Sequence, residues 1–125
     1  MLAWAWCTGA RPGGAPRGNA VKFTTLIPTT RNGGTPVKPS VLARLIDSLW
    51  RPFGGMTNEG LVTGHWIDAD GTEFKDVCGK VAIECDRSRL DEAIAAVRRI
   101  GRRLGQRAMY FEVAGYDGVQ ILRLE

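Results

Sequence analysis

Residues 80–115 read KVAIECDRSRLDEAIAAVRRIGRRLGQRAMYFEVAG. Val81, Ile83 and Cys85 alternate with small or polar residues, and a similar alternation returns over 108–114, which is typical of strands buried on one face. Between them, apolar residues recur at three- and four-residue spacing, the pattern of an amphipathic helix. The stretch therefore predicts strand, helix, strand, and the fold class follows from it.

The predicted helix has one narrow apolar face. Its members share that spacing and are Leu90, Ile94, Val97, Gly101 and Leu104. Two starts are open, because Ser88 with Asp91 has the spacing of a capping box and Asp86 is an alternative N-cap. Gly105 is the predicted stop.

Arginines occupy the opposite arc of this helix, at Arg98, Arg99, Arg102 and Arg103. Several cations on one face are what phosphate binding requires. Arginine is also a good helix former that complements the dipole near a helix end, and no aromatic residue interleaves the cluster for base stacking. We therefore expect a solvated helix face, and nucleic-acid binding is not favoured.

The chain has 125 residues, of which 44% are hydrophobic, and a net charge of +4. This length suits one domain, which we place at residues 20–125, and the mildly basic charge decides little about partners. Residues 1–19 are rich in Gly, Pro and Ala, so we expect a flexible tail or a misassigned translation start. Their apolar beginning is too short to span a membrane and lacks the features of a secretory signal.

Cys7, Cys78 and Cys85 form no C-x-x-C pair, and the chain has one histidine. A disulfide framework or zinc site is therefore not expected, and we predict no metal and no cofactor. Reduced thiols are typical of a cytoplasmic protein. Cys85 lies on an apolar strand face and is predicted to be a core residue, not a nucleophile.

Further elements flank the central unit. Residues 21–27 alternate as a strand, and residues 39–51 carry the apolar stripe of a helix that begins at Pro39. Residues 60–67 and 73–77 predict a hairpin, and 119–123 predict a last strand. Gly79 is predicted to form a bulge between the hairpin and the strand at 80–85.

The hairpin turn, Asp68-Ala69-Asp70-Gly71-Thr72, allows two registers. A type I turn with left-handed Gly71 pairs residues 68 and 72 and places Trp66 opposite Phe74. A tighter turn places His65 opposite Asp76. We favour the first register, because it needs a left-handed conformation only at glycine and forms an aromatic pair.

The element order predicts a ferredoxin-like βαββαβ α+β fold with an appended C-terminal strand. Right-handed crossovers place the strand at 21–27 between those at 80–85 and 108–114, with both helices on one face. The residues predicted to face the helices are Val21, Phe23, Ile27, Val81, Ile83, Cys85, Met109, Phe111 and Val113.

The uncovered face would carry Lys22 between Glu84 and Glu112, beside Tyr110. Lys22 and Glu84 are candidate ligand-binding residues on a polar floor, and Tyr110 or Glu112 could transfer protons if burial raised the carboxyl pKa. The alternative is a charge ladder on a solvated face, or a face that a second subunit covers, which predicts a homodimer.

His65 is the remaining catalytic candidate, because its ordinary pKa lies near neutrality. Its neighbour Trp66 is a candidate wall of a ligand pocket. A lone histidine on a hairpin is more often a surface or packing residue, and neither a nucleophile nor an orienting carboxylate is secured beside it.

The run FGGMT at 53–57, followed by GHWID at 64–68, Gly71 and Asp76, resembles a pattern in small, mostly uncharacterised bacterial proteins with ferredoxin-like folds. The resemblance covers roughly residues 20–114. It implies the fold and transfers no activity and no catalytic residue.

Three functions are consistent with these residues. The first is a non-enzymatic, homodimeric module that binds a small molecule or a protein partner. The second is a small enzyme that uses His65 with the open-face residues Tyr110, Glu112, Lys22 and Glu84. The third is arginine-mediated nucleic-acid binding.

Overall fold

A computed structural model describes residues 20–114 and 118–124 of the chain. The predicted tail at 1–19 lies outside these ranges, as does most of the predicted turn at 115–118. The boundary between a tail and a domain at residue 20 therefore stays a prediction.

Five strands and two helices make up the described residues. In chain order they are β1 (Ala20–Pro28), α1 (Pro39–Trp50), β2 (Thr57–Ile67), β3 (Glu73–Asp86), α2 (Leu90–Arg103), β4 (Ala108–Val113) and β5 (Gly118–Arg123). The strands form one antiparallel sheet in the order β2-β3-β1-β4-β5. This is the predicted ferredoxin-like α+β fold, with both helices on one face and β5 appended beside β4.

The core lies between the helices and the sheet. All nine residues predicted to face the helices are buried. Phe23 stacks on Phe111 with ring centroids 5.3 Å apart, and its other side meets the edge of Phe53. Thr25 is fully buried on the same face, and its hydroxyl donates a hydrogen bond to the Tyr110 carbonyl at 2.8 Å.

The start of α2 follows the Asp86 alternative. The Asp86 carboxylate accepts a hydrogen bond from the Ser88 amide at 2.9 Å and caps a short 3₁₀ turn, Arg87–Arg89, from which the helix continues. The end is as predicted. Gly105 takes a φ of +67°, and the Gln106 amide donates to the Gly101 carbonyl at 2.9 Å, which is a Schellman motif.

The buried face of α2 is broader than predicted. Ile94 is only partly buried, whereas Ala93, Ala96 and Ile100 are buried against the sheet. Small alanine side chains let the helix axis approach the strands closely, and spacing alone did not single them out.

The hairpin has the favoured register. Trp66 lies opposite Phe74, with ring centroids 4.3 Å apart, and the Asp68 amide donates to the Thr72 carbonyl at 2.8 Å. Gly71 is left-handed with a φ of +87°. The preference for glycine in the left-handed position therefore identified the correct turn.

The predicted bulge at Gly79 is wrong. β3 runs unbroken through Gly79, which pairs with Ile27 on one side and Leu61 on the other. The extra residue lies in the neighbouring strand, between Asn58 and Leu61, where Gly60 takes a φ of +86°. The Asn58 side chain accepts a hydrogen bond from the Gly60 amide at 2.9 Å and stabilises the bulge there.

Candidate functional site

The strand registers place the predicted open-face residues on one face, but Glu112 lies opposite Thr24, so Lys22 does not lie between the two glutamates as predicted. Lys22 lies directly opposite Glu84, and Thr24 lies between Ala82 on β3 and Glu112 on β4. Cross-strand partners point to the same side of a sheet, so these five side chains share the face opposite α1 and α2. Tyr110 shares it too, two residues from Glu112 along β4.

The centre of this face is a floor of small residues. Thr24 is only 8% exposed and Ala82 only 2% exposed, although α1 and α2 both pack on the opposite face. In the strand registers, Lys22 and Glu84 lie on the same face two residues away, and Glu112 lies directly opposite Thr24. We use the name open-face site for the six residues Lys22, Thr24, Ala82, Glu84, Tyr110 and Glu112.

Tyr110 and Glu112 form a polar pair at one edge of the open-face site. The phenol of Tyr110 donates to Oε1 of Glu112 across 3.4 Å. Burial raises the pKa of Tyr110, and the Glu112 charge and this hydrogen bond raise it further, while Lys80 acts in the opposite direction. Tyr110 therefore keeps its proton at neutral pH and can act as a donor.

A second charged pair borders the site on the β2 side. Lys80 lies 3.3 Å from the Glu59 carboxylate, and both side chains are partly exposed. The open-face site and this pair together present carboxylate acceptors, a phenol donor and cationic groups. This arrangement is suited to a polar molecule with several hydrogen-bonding groups.

The structure does not bring His65 or Trp66 into the open-face site. Both lie on the hairpin beyond the end of β1, and as neighbours on one strand they point to opposite faces. His65 is exposed opposite Lys75. Trp66 is engaged by Phe74 and donates its indole N–H to Asp76 at 2.9 Å, so the two cannot wall one pocket.

Three arginines line a cleft of about 310 Å³ between the two helices. Arg44 comes from α1, and Arg99 and Arg103 come from α2, over an apolar wall that includes Leu45 and Ile100. Within the described ranges, none of the three guanidinium groups forms an ion pair. Two members of the predicted arginine cluster therefore face a cleft, not only solvent.

The described cysteines belong to the interior. Cys78 and Cys85 are free thiols, and burial raises the pKa of each to about 11. Such thiols are poor nucleophiles at neutral pH, in line with the core role predicted for Cys85. No three His, Cys, Asp or Glu side chains of residues 20–114 and 118–124 are grouped so that they could hold a metal ion.

Sequence reasoning missed two features of these sites. Alternation placed Thr24 and Ala82 on the open face but could not show that they would be nearly buried there. Arg44 joins Arg99 and Arg103 only through the packing of α1 against α2, and local sequence carries no signal of that contact.

No protein-family model matches the chain, and no curated protein matches it, in keeping with a resemblance that led to no characterised family. The fold is similar to that of a phage SAM lyase in complex with S-methyl-5'-thioadenosine, with a TM-score of 0.68. The similarity covers 90% of this chain and 96% of the other at 7% identity. At that identity the likeness shows the fold alone.

Neither helix in the part of the chain that the structure describes is long and apolar enough to cross a membrane.

Proposed function

We propose that the open-face site binds a small polar molecule, and that the protein acts as a cytoplasmic binding module. The observation that carries this proposal is the group of polar side chains, Lys22, Glu84, Tyr110 and Glu112, that the strand registers place on one face of the sheet. An ammonium group, two carboxylates and a phenol on one face supply hydrogen-bonding groups that can orient a polar ligand.

The chemistry of the site favours a ligand that donates hydrogen bonds. Glu112 can accept from a hydroxyl or amino group, and the Tyr110 phenol can donate to a ligand acceptor. Nucleosides carry both kinds of group, in the ribose hydroxyls and the base. The similar fold of a lyase that holds a nucleoside thioether supports S-methyl-5'-thioadenosine as the first probe.

Isothermal titration calorimetry with S-methyl-5'-thioadenosine tests the proposal. We expect Glu112→Gln to weaken binding by about tenfold or more, because a hydrogen bond to a charged acceptor contributes about 1.5–3 kcal/mol. Glu73→Gln is the matched control, since Glu73 is exposed on the hairpin and should bind as the wild type does. Equal affinity in all three proteins would contradict the proposed site.

The enzyme alternative makes a different prediction for the same site. A binding module leaves S-adenosylmethionine chemically unchanged, retains full affinity in His65→Ala, and loses in Tyr110→Phe only the contribution of one hydrogen bond to the ligand. Conversion of this compound, abolished by Tyr110→Phe, would support the enzyme instead, with the Tyr110–Glu112 pair as its proton-transferring groups. Chromatography of the incubated nucleoside distinguishes the two.

The arginine cleft favours a second candidate function, the binding of phosphate groups. Guanidinium groups of Arg44, Arg99 and Arg103 without carboxylate partners are suited to phosphate oxygens. Pyrophosphate and a single-stranded oligonucleotide are suitable probes, at low and high salt. Arg99→Ala/Arg103→Ala should remove binding, and Arg98→Ala/Arg102→Ala should retain most of it if the cleft is the site.

A further inference from the structure

No strand in residues 20–114 and 118–124 covers the outer edge of β2. Among the described strands, β2 is at the end of the sheet and pairs with β3 alone, so half of its backbone groups point outward. Residues 61–67 contain neither proline nor any charged side chain apart from the potential charge of His65. Natural edge strands usually carry lysine or proline, or are covered, because an unprotected edge pairs with other chains.

Exposed hydrophobic side chains cluster along this edge. The large ones that the described residues leave exposed are Leu61 at 71%, Ile67 at 68%, Trp66 at 49% and Val77 at 39%, all on the β2–β3 hairpin. Beside Leu61 lies an apolar groove of about 200 Å³, on the helix side of the sheet, lined in part by Leu42, Ile46 and Gly79. Leu61, Ile67 and Val77 lie on the helix side of the hairpin and Trp66 on the other side, and exposed apolar surface along a strand edge marks an interaction site.

We propose that β2 pairs antiparallel with β2 of a second copy of the chain, around a twofold axis at Gly64. The two five-stranded sheets then form one continuous sheet of ten strands. Leu61 of each copy lies opposite Ile67 of the other, and Val62 lies opposite Trp66. The bulge at Gly60 lies just outside the paired stretch, so seven regular residues take part.

The register follows from symmetry and side-chain chemistry. A twofold axis between antiparallel strands keeps the helices of both copies on one side, so only residues on the same face can be partners. Shifting the axis by one residue toward Thr63 leaves Ile67 without an apolar partner. Shifting it toward His65 places that side chain against itself. The axis at Gly64 alone pairs both highly exposed aliphatic residues.

In this register, a side chain of the second copy fills the apolar groove. Leu61 and Ile67 both lie on the helix side of the sheet. Their partners on β3, Gly79 and Glu73, are an even number of residues from Val81, which faces the helices, and residues so spaced on a strand share one face. Ile67 of the second copy, opposite Leu61, therefore comes to the groove under Leu42 and Ile46. The open-face site lies on the other side of the sheet, so this interface does not depend on ligand binding.

Light scattering on the full chain gives the first test. We expect a mass of twice 13.6 kDa. A monomer overturns the proposal, and so does a trimer or larger ring, which would indicate head-to-tail pairing of unlike edges.

Cysteine cross-linking tests the register. In a Cys7→Ser background, Gly64→Cys should form a covalent dimer on mild oxidation, because directly opposed residues lie about 4.5–5.5 Å apart between Cα atoms. A Cβ atom at Gly64 meets no other atom within 4 Å, so the variant can fold. Thr63→Cys is the matched control. The two copies of residue 63 would not lie directly opposite each other, and their Cα atoms would be more than about 7 Å apart, too far for a disulfide. Preferential cross-linking of Thr63→Cys would overturn the register.

A charge exchange tests the predicted contact independently. Leu61→Lys and Ile67→Glu should each yield monomers, because each leaves a charge against an apolar partner. The combined variant Leu61→Lys/Ile67→Glu places opposite charges across the interface twice and should recover the dimeric mass. Val77→Lys, on the same face but one strand inward, should remain dimeric. Failure of the combined variant to recover, with the single variants folded, contradicts the pairing of Leu61 with Ile67.

Discussion

The exposed carboxylate of Asp86 caps the turn that leads from β3 into α2. It accepts hydrogen bonds from both the hydroxyl and the amide of Ser88 where β3 turns into α2. These bonds lower the pKa of Asp86 below its ordinary value of 3.8, the side-chain bond contributing most. Because the folded pKa is lowered, the stabilisation is present above pH 3.8 and is lost as the pH falls through the folded pKa.

We predict that Asp86→Ala lowers the melting temperature at pH 7, because it leaves the Ser88 amide without its acceptor. The difference from the wild type should shrink well below pH 3.8, where the wild-type carboxyl is protonated. Asp86→Asn is the control, since it keeps an acceptor without a charge and should differ less between the two conditions. Thermal unfolding followed by circular dichroism measures both, and a deficit independent of pH would contradict the role of the carboxylate.

At the scale of elements, α2 and β4 approach each other closely at one glycine. A Cβ atom on Gly101 would lie 2.6 Å from Cγ of Met109 and 2.6 Å from Cδ1 of Leu124. The end of Leu124 can move, but Cγ of Met109 lies near its own backbone inside the core and has little freedom. Gly101 therefore holds the helix against the sheet through its lack of a side chain.

We predict that Gly101→Ala destabilises the fold by about 1–2 kcal/mol, because overpacking costs about 1–3 kcal/mol and the gain in helix propensity offsets up to about 1 kcal/mol. Gly33→Ala is the control, since a Cβ atom there meets no other atom within 4 Å. Urea unfolding measures the free energy of each. Equal stability of Gly101→Ala and the wild type would mean that α2 does not pack as closely as described.

The same scale shows what the sequence could and could not predict. Turn chemistry was sufficient for the hairpin, since Gly71 and the Trp66–Phe74 pair favoured one register. It failed at Gly79, because glycine permits a bulge without requiring one, and the bulge formed at Gly60 on the neighbouring strand. Local patterns predict what a residue can do, and pairing decides what it does.

At the scale of the whole molecule, alternation predicted which residues share the open face, but it did not predict which of them would be buried. Lys22, Glu84, Tyr110 and Glu112 followed from the strand period once β1 was placed in the centre. The burial of Thr24 and the arginine cleft depend on contacts between elements distant in sequence, which no local pattern encodes. His65 was a candidate by chemistry alone, and its position on the hairpin separates it from the others.

The proposed functions occupy different surfaces of the molecule. The open-face site lies on one side of the sheet, the arginine cleft between the helices on the other, and the proposed dimer interface along the β2 edge. Each can therefore be altered without removing the others. This separation lets one residue-resolved experiment decide among the binding sites.

The most direct measurement is a titration of ¹⁵N-labelled protein with S-methyl-5'-thioadenosine, followed by NMR. We expect the largest chemical-shift changes at the amides of residues 22–26, 82–84 and 110–112, and little change in the hairpin and the helix cleft. Saturable changes confined to the cleft around Arg44, Arg99 and Arg103, or no change at any ligand concentration, would contradict the open-face site.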